Sequence, residues 1–178
     1  HAHADHLHGI DDLRGVNKAN NKPLPVFADA DTVAQIEVRF GYATEPLRPD
    51  EPAYFIRPVL DMHVFEPGSS IDVQGVEVRT FWQDHGYSRT VGLRFGRLAY
   101  STDVFELDEA AFEVLAGIEV WIIGVFSWKP HWTHAHVDKA LGWIDRVKPR
   151  LAILTHLGTG IDHAALSAYL PAGVVAAY

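Results

Sequence analysis

The chain opens with HAHADH, which places His1, His3, Asp5 and His6 within six residues. Imidazole nitrogen and carboxylate oxygen at that density suit zinc, iron or manganese better than calcium or magnesium. Alternate residues of an extended stretch point to one side, so His1 and His3 can share an ion. If a helix starts behind them, Asp5 and His6 can turn to a second ion beside the first, so the spacing favours two metals over one. A purification tag or a solvated terminus would explain alternating histidines. Neither supplies Asp5 before His6, nor the direct run into GIDDLRG.

Other residues with chemical potential lie further along, and the elements around them set what they can reach. A helix from Asp5 or His6 to Leu13 is expected, with Gly15 as its permissive end. His8 belongs to packing or to support of the ligands, and Asp11 and Asp12 are solvated carboxylates of that helix. VNKANNKP, 16–23, reads as a polar loop and PVFA as a short strand. Asp29 and Asp31 then precede Val33, Ile36 and Phe40 at helical spacing, which predicts a capped amphipathic helix closed by Gly41. Four prolines between 43 and 58 make a surface connection. There Tyr42, Tyr54 and Phe55 either line a pocket or anchor the loop.

From Pro58 the runs PVLDMHVF, SIDVQG, VEVRTFWQDHG, RTVGLRFG and RLAYS predict a strand meander. His63, inside one such run, is expected to be structural. His85 differs because it ends a strand just before Gly86, where a side chain can reach over a sheet edge. Asp84 should face the other way. Asp103 follows another strand, ahead of a helix at 107–115. Its two carboxylate oxygens could bridge two cations, which one imidazole cannot do, or it could cap that helix. GIEVWIIGVF is a continuous apolar strand, to be covered on both faces. After it, SWKPHWTHAH packs two tryptophans, a lysine and three histidines into ten residues. A helix with Val137, Ala140, Leu141 and Ile144 on one face anchors the far end of that loop. His156 closes the strand LAILTH, His163 reads as a surface residue, and VVAAY supplies the last strand.

HAHADH resembles the HxHxDH signature of the metallo-β-lactamase family. The order of QDHG, STD, a TH pair before a helix, and LAILTH is similar to the branch that contains tRNase Z and the cyclic-phosphate phosphodiesterase of phosphonate breakdown. The resemblance implies an α+β fold, the four-layer αββα sandwich, with 1–178 as one hydrolase domain and further N-terminal strands expected ahead of His1. It also implies two divalent metal ions, zinc or manganese. His1, His3 and His85 would hold one, Asp5, His6 and His156 the other, and Asp103 with a hydroxide would bridge them. In the branch, a histidine outside the metal set contacts the scissile phosphate. His134 matches that place best, with His131 and His136 as alternatives.

Composition narrows the choice of substrate. A chain of 178 residues with 48% hydrophobic content can bury one sizeable core. A formal charge of −8 with a pI near 5.7 gives no footprint for long nucleic-acid duplexes. A small anionic substrate stays open, because bound dications invert the local field. With no apolar run of membrane length, no visible signal peptide and no cysteine, a soluble cytoplasmic protein without thiolate ligands is expected. A homodimer is compatible with the sequence, which leaves the oligomeric state open.

The expected activity is hydrolysis of a small cyclic-phosphate or nucleotide-like diester by the bridging hydroxide. Asp103 and His134 carry the catalysis, and Trp128 and Trp132 bind substrate, with Tyr42 as a further stacking surface. Arg89 or Lys129 either adds a phosphate contact or is an ordinary surface charge. A lactone or thioester hydrolase would share every ligand without needing His134. A tRNase Z-like nuclease would want a basic arm, which these residues lack. A non-catalytic binding module would hold its metal with no open position.

Overall fold

The computed structural model describes residues 1–51 and 55–177. They divide into two compact units, His1–Glu66 and Pro67–Tyr178.

In the first unit, His3 is extended and the chain turns directly into α1, Ala4–Leu7. A single 3-10 turn, Ile10–Leu13, leads into α2, Arg14–Asn20. The sequence reading is corrected here. Gly15 lies inside α2 rather than ending a helix, and the expected loop at 16–23 is largely helical. The reason is long-range: buried Asn17 donates to the carbonyls of Lys22 and Val59, both at 2.9 Å, and accepts from the Val59 amide. Asn21, in the left-handed conformation, ends the helix instead.

Strand β1, Leu24–Ala28, and strand β2, Leu60–Val64, pair in parallel, and α3, Ala30–Thr44, lies between them in the chain. PVLDMHVF therefore leaves the meander for a sheet of its own. Asp29 caps α3 as expected, accepting from the amides of Asp31 and Thr32. The helix bends at Phe40 and runs past Gly41 to Thr44. Ile10, Ile36, Ala43 and Leu60 form the buried core of this unit. Arg57 ties down the proline-rich connection by donating to the carbonyls of Tyr42, Glu45 and Pro46 and to Glu51. Phe55 is buried there, while Tyr42 is exposed and donates its hydroxyl to Asp11. Tyr54 lies outside the described residues.

The second unit is built on one seven-stranded sheet. Its strands are β3, Ser70–Val73; β4, Val76–Asp84; β5, Arg89–Phe95; β6, Leu98–Ser101; β7, Val120–Gly124; β8, Leu151–Thr155; and β9, Val174–Ala176. They lie side by side in chain order. Each pair from β3 to β6 is antiparallel, and each from β6 to β9 is parallel. Parallel strands need crossovers, which carry α4, Glu109–Leu115; α5, Val137–Val147; and α6, His163–Tyr169. Asp108 and Asp162 cap α4 and α6. The apolar faces of these helices join Trp121, Ile123, Ala152 and Leu154 in one core. Complete burial of an aliphatic side chain such as Leu115 stabilises the unit by about 1.5–3 kcal/mol. GIEVWIIGVF is an interior strand because β6 and β8 flank β7.

Strand direction prepares the site. Two antiparallel steps make β4 run with β6, and β7 and β8 run the same way. The carboxyl ends of these four strands therefore share one sheet edge, where ligands of α/β sheets gather. Among the described residues no helix is long and apolar enough to cross a membrane.

Candidate metal centre

The histidine-rich start of the first unit is held as the spacing requires. The His1 ring lies 4.4 Å from that of His3 and 4.5 Å from that of His6. Arg39 fixes the extended start by donating to the Ala2 carbonyl at 2.6 Å. His1 and His3 can bring ligand atoms within 4.8 Å of each other, and so can Asp5 and His6. His63, by contrast, stacks on Phe27 and pairs with Asp61 at 3.1 Å, in keeping with a structural role. His8 packs against Phe40.

In the second unit the shared sheet edge carries one residue after each co-directional strand: His85 after β4, Asp103 after β6, His134 in the loop after β7, and His156 after β8. Their side chains converge. From the Asp103 carboxylate, His156 Nε2 lies 3.0 Å from Oδ1, with His134 Nε2 and His85 Nε2 at 3.6 and 3.7 Å from Oδ2. His85 is 1% exposed and Asp103 2%.

A buried carboxylate facing three imidazole nitrogens needs positive charge, as ring protons or as a cation. The His85 ring is oriented for a cation. Its Nδ1 donates to the Thr133 carbonyl at 2.6 Å, which leaves Nε2 as the ring atom a metal would use. Donors of this kind, a carboxylate among imidazole nitrogens, fit transition-metal chemistry.

Asp103 and His156 sit at φ of +51° and +57°. Each left-handed residue other than glycine costs about 1–2 kcal/mol. Strain held at two converging ionisable residues points to function.

His134 is built differently from the other rings. Phe126 stacks on it at 4.8 Å and 27°, and its Nδ1 lies 2.8 Å from Thr133 Oγ1 and 3.3 Å from His131 Nδ1. The Thr133 amide donates to His131 Nδ1, so that atom is an acceptor. Burial, with the adjacent His134 adding to it, holds the His131 pKa below the usual histidine value. His131 Nδ1 thus offers an acceptor to a hydrogen on His134 Nδ1. His136 is only the residue before α5.

The substrate-binding aromatics separate. Trp132 is 89% exposed, whereas Trp128 packs on the core and meets Tyr169 edge-on at 5.2 Å. Arg89 lies over the Trp82 ring at 5.6 Å, lining a cleft of about 570 Å³ beside the 85–89 hairpin. Lys129 is exposed. The sequence reading used Thr133 only as part of the TH pair and missed its carbonyl, which accepts from His85, and it did not single out Phe126. A backbone carbonyl leaves no mark in side-chain spacing, and Phe126 read as the tail of an apolar strand.

Comparison with known proteins identifies the fold and the family. A solved diphosphatase from the PhnP family is 26% identical, with a TM-score of 0.86 over 100% of this chain and 65% of that one. Human tRNase Z, short form, is 13% identical with a TM-score of 0.66, over 99% of this chain and 72% of that one, and shows the fold alone. An octanoyltransferase of Porphyromonas gingivalis strain W83 is 25% identical over 158 residues, 88% of this chain but 31% of that protein. The chain thus spans under a third of that curated relative, and the acyl transfer its name describes is not carried over. The fold is that of the metallo-β-lactamases. The family model for the beta-lactamase superfamily domain matches residues 1–157, and the chain belongs to that superfamily.

Proposed function

We propose that the chain is a metal-dependent phosphodiester hydrolase that uses two divalent ions, zinc or manganese. His1, His3 and His85 hold one ion and Asp5, His6 and His156 the other, with Asp103 between them. When bound, such ions withdraw electrons from phosphoryl oxygens and make a water acidic near neutral pH. The substrate is a small cyclic-phosphate or nucleotide-like ester, with Trp132 as a stacking surface for its flat part. In keeping with the expected location, the protein works in the cytoplasm.

The observation that carries the reading is His134. It reaches the Asp103 carboxylate beside two candidate ligands, at 3.6 Å, while its Nδ1 faces Thr133 Oγ1 and His131 Nδ1. His131 Nδ1 and Thr133 Oγ1 take the Nδ1 hydrogen, so Nε2 is the atom that gives up a proton. As the bond from phosphorus to the departing oxygen breaks, that proton passes from Nε2 to the alkoxide. The Phe126 ring stacked on His134 keeps Nε2 oriented. The resemblance of the chain to a PhnP-family diphosphatase supports phosphoryl chemistry over lactone or thioester hydrolysis.

The test compares two diesters with metal-stripped protein reloaded with zinc or manganese, alongside a lactone and a thioester. p-Nitrophenolate departs without a proton, whereas an alkoxide needs one. His134→Ala should therefore slow an alkyl or cyclic diester by about 100- to 10,000-fold and bis(p-nitrophenyl) phosphate far less. Equal losses on both substrates would remove His134 as the acid. Lactone or thioester turnover without diester turnover would replace the substrate class.

A further inference from the structure

We propose that Gln83 and Thr90 are positioning residues that clamp Asp103 in its left-handed conformation. The inference rests on the reading of Asp103 as a metal-holding carboxylate. Gln83 and Thr90 face each other across β4 and β5, and both are buried. Gln83 Nε2 donates to Thr90 Oγ1 at 2.9 Å and to the Thr102 carbonyl at 3.1 Å. The Thr90 hydroxyl in turn donates to the Asp103 carbonyl at 3.1 Å.

These two carbonyls have a particular place. The Thr102 carbonyl belongs to the peptide plane before the Asp103 Cα, and the Asp103 carbonyl to the plane after it. The dihedrals φ and ψ are the relative rotation of those two planes. One hydrogen-bonded chain anchored on both planes therefore fixes the Asp103 φ of +51°, a conformation its own energetics disfavour. The side chain leaves the backbone from that fixed point, and its oxygens then lie among His85, His134 and His156.

Two glycines make room for the arrangement. A Cβ at Gly92 would come 2.7 Å from Gln83 Oε1, and one at Gly124 would come 3.1 Å from the Asp103 nitrogen and 3.2 Å from the Thr102 Cα. A buried amide and hydroxyl beside Phe81 are costly where apolar residues would pack. Positioning of the turn explains their presence.

Thr90→Val removes the hydroxyl at nearly constant shape, and Thr90→Ser keeps it. Zinc and manganese affinities are measured by competition with a chromophoric chelator. In the same proteins without metal, NMR couplings and carbon shifts at Asp103 report the sign of φ. Thr90→Val should bind metal about 10- to 100-fold more weakly, as loss of residues that orient ligands typically does, and should lose the positive-φ signature. Thr90→Ser should restore both. A Thr90→Val protein that is folded, retains the signature and binds metal like the wild type overturns the clamp. So does Thr90→Ser falling as far as Thr90→Val, since packing of the methyl group would then be the cause. Gln83→Leu should act in the same direction, and the Thr90 pair decides the matter if that variant does not fold. Failure of the wild type to bind either ion would strike the metal-centre reading, and the φ signature would still report on the clamp separately.

Discussion

His131 is a proton acceptor beside a proton donor, and its lowered pKa has a consequence for stability. An unfolded histidine titrates near pH 6.5. In the folded chain His131 takes its proton only at lower pH, because burial and His134 both oppose its charge. Below the unfolded value the unfolded state therefore binds more protons, so stability falls as pH falls. His131→Asn removes this titration and keeps an acceptor for the Thr133 amide. Urea unfolding of the metal-free proteins at pH 7.5 and 5.5 should show wild type losing more stability than His131→Asn over that interval. Parallel losses would mean that His131 does not sense its surroundings in this way. At this scale the sequence revealed residue types well. HAHADH stood out by its density of ligand-type residues, His85, Asp103 and His156 by their places after strands, and His134 by its TH pair before a helix. It could not reveal the backbone. The positive φ of Asp103 and His156, the carbonyl of Thr133 and the amide of Gln83 act through geometry that leaves no spacing to read.

Elements carry these residues through contacts that tolerate little added volume. Gly158 donates its amide to the Phe126 carbonyl at 3.1 Å, and a Cβ at this position would collide with that same oxygen and crowd the ring. Phe126 stacks on His134, while Gly158 follows His156 by two residues. Gly158→Ala should therefore destabilise the fold by about 1–3 kcal/mol and disturb both histidines. Thermal unfolding and histidine ring NMR signals measure the two effects, and an unchanged melting temperature with unshifted rings would refute it. The strands of the second unit were legible because alternation and continuous apolar runs follow directly from which faces are covered. Two elements were misread for one cause, a dependence on distant partners. Asn17 is helical while its amide ties Val59, and β2 reads like any meander strand until β1 pairs with it.

For the molecule as a whole, the chain separates into two units, and the proposed ligands fall in both: His1, His3, Asp5 and His6 in one, His85, Asp103 and His156 in the other. An ion bound only by the native state stabilises by mass action, about 2.7 kcal/mol at a hundred times its dissociation constant. For a chain of this length that corresponds to a rise in melting temperature of roughly 5–10 °C. Metal-stripped protein reloaded with zinc or manganese should show this rise, and a chelator should reverse it. The proposal of a shared centre makes a sharper demand, because removing a ligand from either unit must weaken the response. His3→Ala and His85→Ala should each lower both the metal content and the thermal shift. A full shift in His3→Ala, with none in His85→Ala, would confine the ion to the second unit and leave the HAHADH histidines without the role proposed for them. Loss in both variants would support ligands from His1–Glu66 and from Pro67–Tyr178 in one proposed set, and metal content measured beside the thermal shift separates lost binding from lost folding.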